Sequence, residues 1–443
     1  MKPGVNRALL AALAFTGCVT TSSAKLTPRE QALIDLQKGD GQAALPVLTK
    51  LARQAPGDLD LARLVAEAHV KAGDTQEFLQ ALEKQDTAIS HYQQGLVRFS
   101  RTAEASSTAL SHFRRAMELD PSQPEYQYRL GLGLLESEQF ADARKELEAA
   151  VAAAPERTGW YLPLAKARFR TGDTRGAIEG VRTCITGNPT PNEVKLARAL
   201  MEQIADPFSH FPRAARPRLE QAIQWLDVAD VPQQAIIELE ELLLDFPDEA
   251  IVHALLGLAY GRIDDAGRAI DELKRAVELA PDDGKNHLYL AQLYEGHQRG
   301  KIAEEHYLKA LEKNPVLDEA WLKLGDLAME RQDLVTARQD FAVAAHLSPD
   351  NGEARARLAA IYQQDGNWPA AARELQAMLD RDPENLEFSL RLGVLHLDHF
   401  LKAKGPDERD AAATQARKYL SKVLEAQPDN ALASRALERL NVK

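Results

Sequence analysis

Residues 318–349 read DEAWLKLGDLAMERQDLVTARQDFAVAAHLSP. Apolar or small residues fall at Trp321, Leu324, Gly325 and Ala328, then at Ala337, Phe341 and Ala344, and Pro349 closes the stretch. Spacings of three and four place such residues on one face of a helix. The stretch therefore predicts two helices joined by a turn. Gly325 and Ala337 are its eighth and twentieth residues, small enough to let the helices approach closely. Bulk at either position would overpack the contact, at a cost of roughly 1–3 kcal/mol. Proline after the second helix stops it and fixes the next turn.

The same arrangement recurs outward in both directions. Pro121, Pro155 and Pro189 are spaced by 34 residues, and Pro247, Pro281, Pro315, Pro349 and Pro383 keep that spacing. Twelve residues before each proline stands an alanine: Ala109, Ala143, Ala177, Ala235, Ala269, Ala303, Ala337 and Ala371. Ala44 with Pro56 and Ala416 with Pro428 extend the register. His287, Leu290, Ala291, Tyr294, Ala303, Tyr307, Ala310 and Pro315 repeat the pattern one unit earlier, and Leu256, Gly257, Tyr260, Ala269, Leu273, Ala276 and Pro281 do so before that. Gly73-Asp74 and Gly172-Asp173 mark turns inside units.

This pattern resembles the tetratricopeptide repeat, in which W-x2-L-G-x2-Y is followed by A-x3-F, A and P. The resemblance implies an all-α fold, a right-handed α-solenoid of about eleven helix-turn-helix repeats between Leu26 and Pro428. The register breaks in the middle of the chain, because Ala177 and Ala235 are 58 residues apart. Residues 192–204 read as one helix without a second, and Pro207, Pro212 and Pro217 forbid continuous helix after it. The expected organisation is a leader at 1–17, a linker at 18–25 and repeat blocks at 26–204 and 216–430. A Pro/Phe-rich segment at 205–215 separates the blocks, and a capping helix follows at 431–443. Leu401 to Ala411 reads as an insertion in the last repeat. Phe208 and Phe211 either dock a partner or pack on the solenoid itself.

Lys2 and Arg7 precede an apolar run from Ala8 to Phe15, which has the length of a signal-peptide core and is too short to span a bilayer. Phe15-Thr16-Gly17-Cys18 resembles a bacterial lipobox, with Phe where Leu is usual. The resemblance implies cleavage before Cys18, acylation of that residue (including palmitate) and membrane anchoring through the N-terminal lipid. Val19, in place of the Asp that signals inner-membrane retention, favours an outer-membrane lipoprotein facing the periplasm.

With 54 Lys and Arg against 66 Asp and Glu, the net charge is −12. Nucleic-acid binding needs basic surface, so that class is not expected. Apolar content of 45% and charged content of 27% are those of a folded chain. No phosphate-binding glycine loop and no nucleophile elbow are present. His396 and His399 share a helical face, with Asp398 between them in sequence, but have no evident third ligand. Cys184 occupies a small packing position. The sequence thus points to no catalytic site, metal, cofactor or small-molecule substrate.

The repeat resemblance implies a concave binding face lined by first helices at their second, fifth, ninth and twelfth positions. In the earlier block these positions hold Tyr128, Leu132, Leu135, Leu162, Lys166 and Phe169, an apolar groove. In the later block they hold Leu288, Gln292, Glu295, Leu322, Asp326 and Met329, a more acidic one. Such a surface suits extended or helical segments of other proteins. The Lys/Asn carboxylate clamp of chaperone-binding relatives is absent. The function expected is an envelope scaffold for a pilus, secretion, gliding or outer-membrane assembly. The alternative is a regulator or recruiting subunit of a cell-wall or glycan-processing enzyme.

Overall fold

Ten alanines set the helix spacing. Ala44, Ala109, Ala143, Ala177, Ala235, Ala269, Ala303, Ala337, Ala371 and Ala416 are each at most 1% exposed, as close helix contact at the twentieth position requires. The computed structural model describes residues 26–101, 107–206 and 211–440, in which 24 α-helices and no strand occur. Cys18 and the rest of residues 1–25 lie outside the described residues. No described helix is long and apolar enough to cross a membrane.

The chain divides into two compact units, Met1–Glu193 and Val194–Lys443. In the first, α1 (Pro28–Gln37) packs on α2 (Gly41–Gln54), α3 (Leu59–Ala72) on α4 (Thr75–Leu82) and α5 (Ala88–Arg101) on α6 (Ser107–Leu119). There follow α7 (Pro124–Glu136) with α8 (Phe140–Ala153), and α9 (Tyr161–Arg170), entered through a 3-10 turn at Thr158–Trp160, with α10 (Thr174–Thr186). The single helix expected after Asn192 is α11 (Pro191–Ile204), and the division into units falls within it.

In the second unit α12 (Arg216–Asp227) packs on α13 (Pro232–Asp245), α14 (Ala250–Arg262) on α15 (Ala266–Leu279), and α16 (Gly284–Gly296) on α17 (Gly300–Lys313). Next come α18 (Asp318–Glu330) with α19 (Leu334–Leu347), α20 (Gly352–Gln364) with α21 (Trp368–Leu379), and α22 (Leu386–Lys402) with α23 (Pro406–Ala426). The capping helix α24 (Ala431–Leu440) buries Ala433, Ala436 and Leu440 and leaves Arg435, Glu438 and Arg439 in solvent.

The turns follow from local chemistry. Gly73 and Gly172 end their helices at φ +80° and +86°, a left-handed backbone that glycine adopts without penalty. Asp173 then caps α10, its carboxylate accepting the Gly176 N–H at 2.9 Å. Asp333 caps α19 in the same way through the Thr336 N–H. Helix packing follows from the eighth position. A Cβ on Gly131 would stand 2.6 Å from Leu147 Cγ, and one on Gly325 2.6 Å from Phe341 Cε1.

Two local readings are made specific. The extra residues of the insertion from Leu401 to Ala411 lengthen α22 to 17 and α23 to 21 residues, with Pro406 starting the second helix. Phe211 presents no docking surface, because it is 2% exposed, with its ring 6.0 Å from that of Phe246 in a core that includes Leu219 and Leu226. The apolar ring is worth more inside than in water. Phe208 lies outside the described residues.

Gly131→Val should destabilise the chain by roughly 1–3 kcal/mol, seen as a lower urea midpoint, because Leu147 cannot retreat without opening the core. Gly296→Ala, where an added Cβ meets nothing within 4 Å, should leave the midpoint unchanged or slightly raised.

Candidate functional site

The residues expected on the binding face stand on α7, α9, α16 and α18. Their surroundings differ between the units. In the first unit Leu135 and Leu162 are buried, each 6% exposed, and serve the core. Tyr128 stacks on Trp160 of the following pair, with ring centroids 4.3 Å apart and planes 8° from parallel. Burial pushes the Tyr128 hydroxyl up to about 12. Arg129 lies beside this stack and donates from Nε to Glu125 at 2.9 Å. Leu132 and Phe169 remain half-buried, and Lys166 is exposed. These three form the accessible part of the expected apolar groove.

In the second unit the same positions are used between neighbouring pairs. Leu288 and Leu322 are buried. Gln292 donates to Glu319 at 2.5 Å. Glu295 accepts the Tyr307 hydroxyl at 2.5 Å and pairs with Lys323 at 3.1 Å. Asp326 pairs with Arg357 at 2.8 Å, although burial still pushes its carboxyl above the usual range. Met329 is half-buried against a cluster containing Leu322 and Phe341. The acidic character read from Glu295 and Asp326 is therefore offset by a cation at the sixth position of the next pair, Lys323 or Arg357.

A second constellation escaped sequence reasoning. In several pairs the fourth residue of the first helix, counted back from the small eighth residue, faces the residue three after the buried alanine, which is the twenty-third where the turn has no added residue. Gln127 donates to Glu146 at 3.0 Å, and Arg355 donates to Glu374 at 2.7 Å. His253 meets Glu272 at 2.6 Å, and Arg218 meets Glu238. In two pairs both residues are histidine: His91 with His112, and His287 with His306. In the best-matching unit the pair is Trp321 and Asp340. The Trp321 indole N–H instead donates to the Pro315 carbonyl at 2.8 Å. Among the described residues no hydrogen bond or ion pair reaches the carboxyl of Asp340, a residue 8% exposed. Burial, aided by the nearby Asp333, pushes its carboxyl up to about 7. The signal was available as a recurring cation or histidine 19 residues before an acid, as in His253 and Glu272.

The remaining chemical candidates resolve into packing. His396 stacks on Tyr419, while His399 reaches Glu408 at 2.8 Å and stacks on Trp368, so the two rings go to separate neighbours. Among the described residues no group of three or more His, Cys, Asp or Glu is placed to hold a metal. Cys184 is 0% exposed, and burial pushes its thiol up to about 12, which makes it a small hydrophobe.

A family model described as the tetratricopeptide repeat matches residues 29–90, 128–181, 231–284 and 288–352, and a second model with that description matches 328–389. Tetratricopeptide repeat-containing protein trd-1 of Caenorhabditis elegans is 26% identical over 174 residues, 38% of this chain and 22% of that protein. Cellulose synthase operon protein C of Pseudomonas fluorescens (strain SBW25) is 32% identical over 111 residues, 25% of this chain and 9% of that protein. The chain thus spans well under half the length of these curated relatives. Among solved structures, that of Pseudomonas aeruginosa pilF resembles this chain with a TM-score of 0.41 and 14% identity, covering 50% of this chain and 96% of that one.

Asp340→Asn should stabilise the protein most at alkaline pH. A carboxyl whose folded value lies near 7, above its unfolded 3.8, binds its proton more tightly when folded, so its contribution is lost as pH rises through 7. The variant should melt a few degrees above the parent at pH 8, with the gap closing towards pH 4. A lower melting temperature at pH 8 would contradict this reading.

Proposed function

The chain belongs to the tetratricopeptide repeat family, and from that premise we propose that it is a scaffold that holds other proteins together in the bacterial envelope. Helix pairs stacked in this way offer a receptor surface built from many repeats, to which an extended or helical segment of a partner adds its own apolar residues. The observation that carries the reading is the contrast between the two units. Leu132, Lys166 and Phe169 remain accessible in the first, whereas Gln292, Glu295 and Asp326 are tied to neighbouring pairs in the second. The first unit is accordingly the principal docking surface. Its apolar groove with a lysine suits a partner segment that pairs apolar side chains with an acidic one.

The anchor proposed is the lipid on Cys18, which would place the scaffold on the outer membrane, facing the periplasm. Only seven residues, Val19 to Lys25, would separate that lipid from the first repeat, a reach of about 25 Å at most. A pilus, a secretion system, a gliding apparatus or the outer-membrane machinery is the class of assembly served. The likeness to Cellulose synthase operon protein C favours a second reading, in which the protein recruits or regulates a cell-wall or glycan-processing enzyme. In neither reading does this chain itself catalyse the reaction.

Affinity capture of the full chain from crosslinked cells, followed by mass spectrometry, tests the proposal. Leu132→Asp with Phe169→Asp should reduce the captured partners at least tenfold while the helical circular dichroism is retained. A Cys18→Ala chain should leave the membrane fraction. Undiminished capture by the double variant would refute the docking surface, and continued sedimentation of Cys18→Ala with membranes would refute the anchor.

A further inference from the structure

The fourth and twenty-third residues hold the first helix of a pair against the second. In two pairs, one in each unit, this contact is made by two imidazoles. His91 Nδ1 and His112 Nδ1 are 2.9 Å apart, with ring centroids at 5.2 Å. His287 Nδ1 and His306 Nδ1 are 3.0 Å apart, with ring centroids at 5.3 Å. The same geometry at the same repeat positions shows a built contact.

Nitrogens this close share one proton: one must donate and the other accept. In the first pair the roles can be assigned. Asp86 accepts from Arg115 at 3.0 Å and faces His91 Nε2 at 2.9 Å. Those two hydrogen bonds hold its carboxyl below the usual range, so it is ionised and His91 Nε2 is the donor. A neutral His91 then presents a lone pair at Nδ1, and His112 donates its Nδ1–H. One added proton leaves the shared hydrogen bond intact, because the ring that gains it still has a neutral partner to accept. A second puts an N–H on both facing Nδ1 atoms, where the two hydrogens meet head-on. The contact cannot survive both.

The charged groups around each pair sharpen the effect. Arg98 on α5, Arg115 on α6 and the carboxylates of Glu83 and Asp86 before α5 face the first pair. Lys309, Lys313 and Glu305 on α17 and Lys274 on α15 face the second. Tyr294 of α16 stacks on His306, with centroids 5.7 Å apart. Burial, reinforced by these cations, pulls His112 and His287 down to about 4 and lowers His306.

We propose that His91 with His112, and His287 with His306, are proton-operated latches that release the first helix of their pair from the second when both rings are charged. This goes beyond the scaffold reading and does not depend on it. The sign follows from linkage. An opened ring titrates near 6.5, whereas the latched His112 and His287 resist protonation down to about 4. Between these values acid favours the open form, by about tenfold per pH unit for each extra proton bound on opening. The device would make α5–α6 and α16–α17 the acid-labile pairs of their units.

Hydrogen exchange of the full chain, read by mass spectrometry at pH 7 and pH 4.5 and corrected for intrinsic rates, tests this directly. Opening of α5–α6 and α16–α17 should rise at least tenfold more than opening of α7–α8, where Gln127 and Glu146 occupy the same positions. His112→Gln and His287→Gln, each removing the ring held lowest in its pair, should sharply reduce that excess. Uniform loss of protection along the chain, or an unchanged excess in the glutamine variants, would overturn the proposal. Should those variants fail to fold, nitrogen-15 spectra of the wild-type histidine rings decide. Double protonation must coincide with loss of amide protection in α5–α6 and α16–α17. Ring titration near 6.5 with protection intact would overturn it.

Discussion

The close approach of two helices at the eighth and twentieth positions is the constraint on which the rest of the molecule depends. Gly131 and Gly325 leave room for Leu147 and Phe341, and the buried alanines let the second helix lie against the first. Tight contact turns many small dispersion gains into a stable pair. A single pair buries only one of its faces, so each needs a neighbour, and the neighbour supplies the same face again. Length is therefore added one repeat at a time, and the outer surface is free to vary.

That freedom is used differently in the two units. In the second, polar groups on the first helices cross to the next pair, as Glu295 does to Lys323 and Asp326 to Arg357. Exposed ion pairs contribute little stability one by one. Their consequence here is local: they occupy groups that a ligand would otherwise engage. In the first unit the corresponding link is the stack of Tyr128 on Trp160, while Leu132 and Phe169 stay half-buried and Lys166 stays exposed with only the Glu136 carboxylate acting on it from the preceding pair. Inside the pairs, the fourth and twenty-third positions form a set of polar contacts whose chemistry changes from repeat to repeat. A buried carboxyl or imidazole there couples the packing of two helices to pH.

Much of this was legible in the residues. The 34-residue register of prolines and alanines fixed the helix pairs and the buried positions, because close helix contact tolerates few residue types. The Gly-Asp turns were legible for the same reason, since positive φ and helix capping each restrict the choice. The insertion near Leu401 was legible, but not its form, because extra residues can extend helices as easily as form a loop, and only Pro406 marks where the second helix begins. Phe211 was left open because a ring between prolines carries no periodic signal, and its burial depends on Phe246, distant in sequence. Exposure within the candidate groove was also hidden. Whether Gln292 or Lys166 faces solvent depends on what the adjacent repeat places opposite it, here Glu319 for the first. The fourth and twenty-third pairing was written in the sequence but appears only when the two helices of every repeat are aligned with each other.

The central claim is that this stack of helix pairs acts as a receptor and that its accessible binding face lies in the first unit. A photoreactive amino acid at position 166, compared with one at position 308 on the second helix of its pair, tests that claim most directly in living cells. Leu308 is 54% exposed, so both probes reach solvent. The account predicts discrete crosslinks to other protein chains from position 166 and few from position 308. Crosslinks from position 308 alone, or none above background from 166, would contradict it.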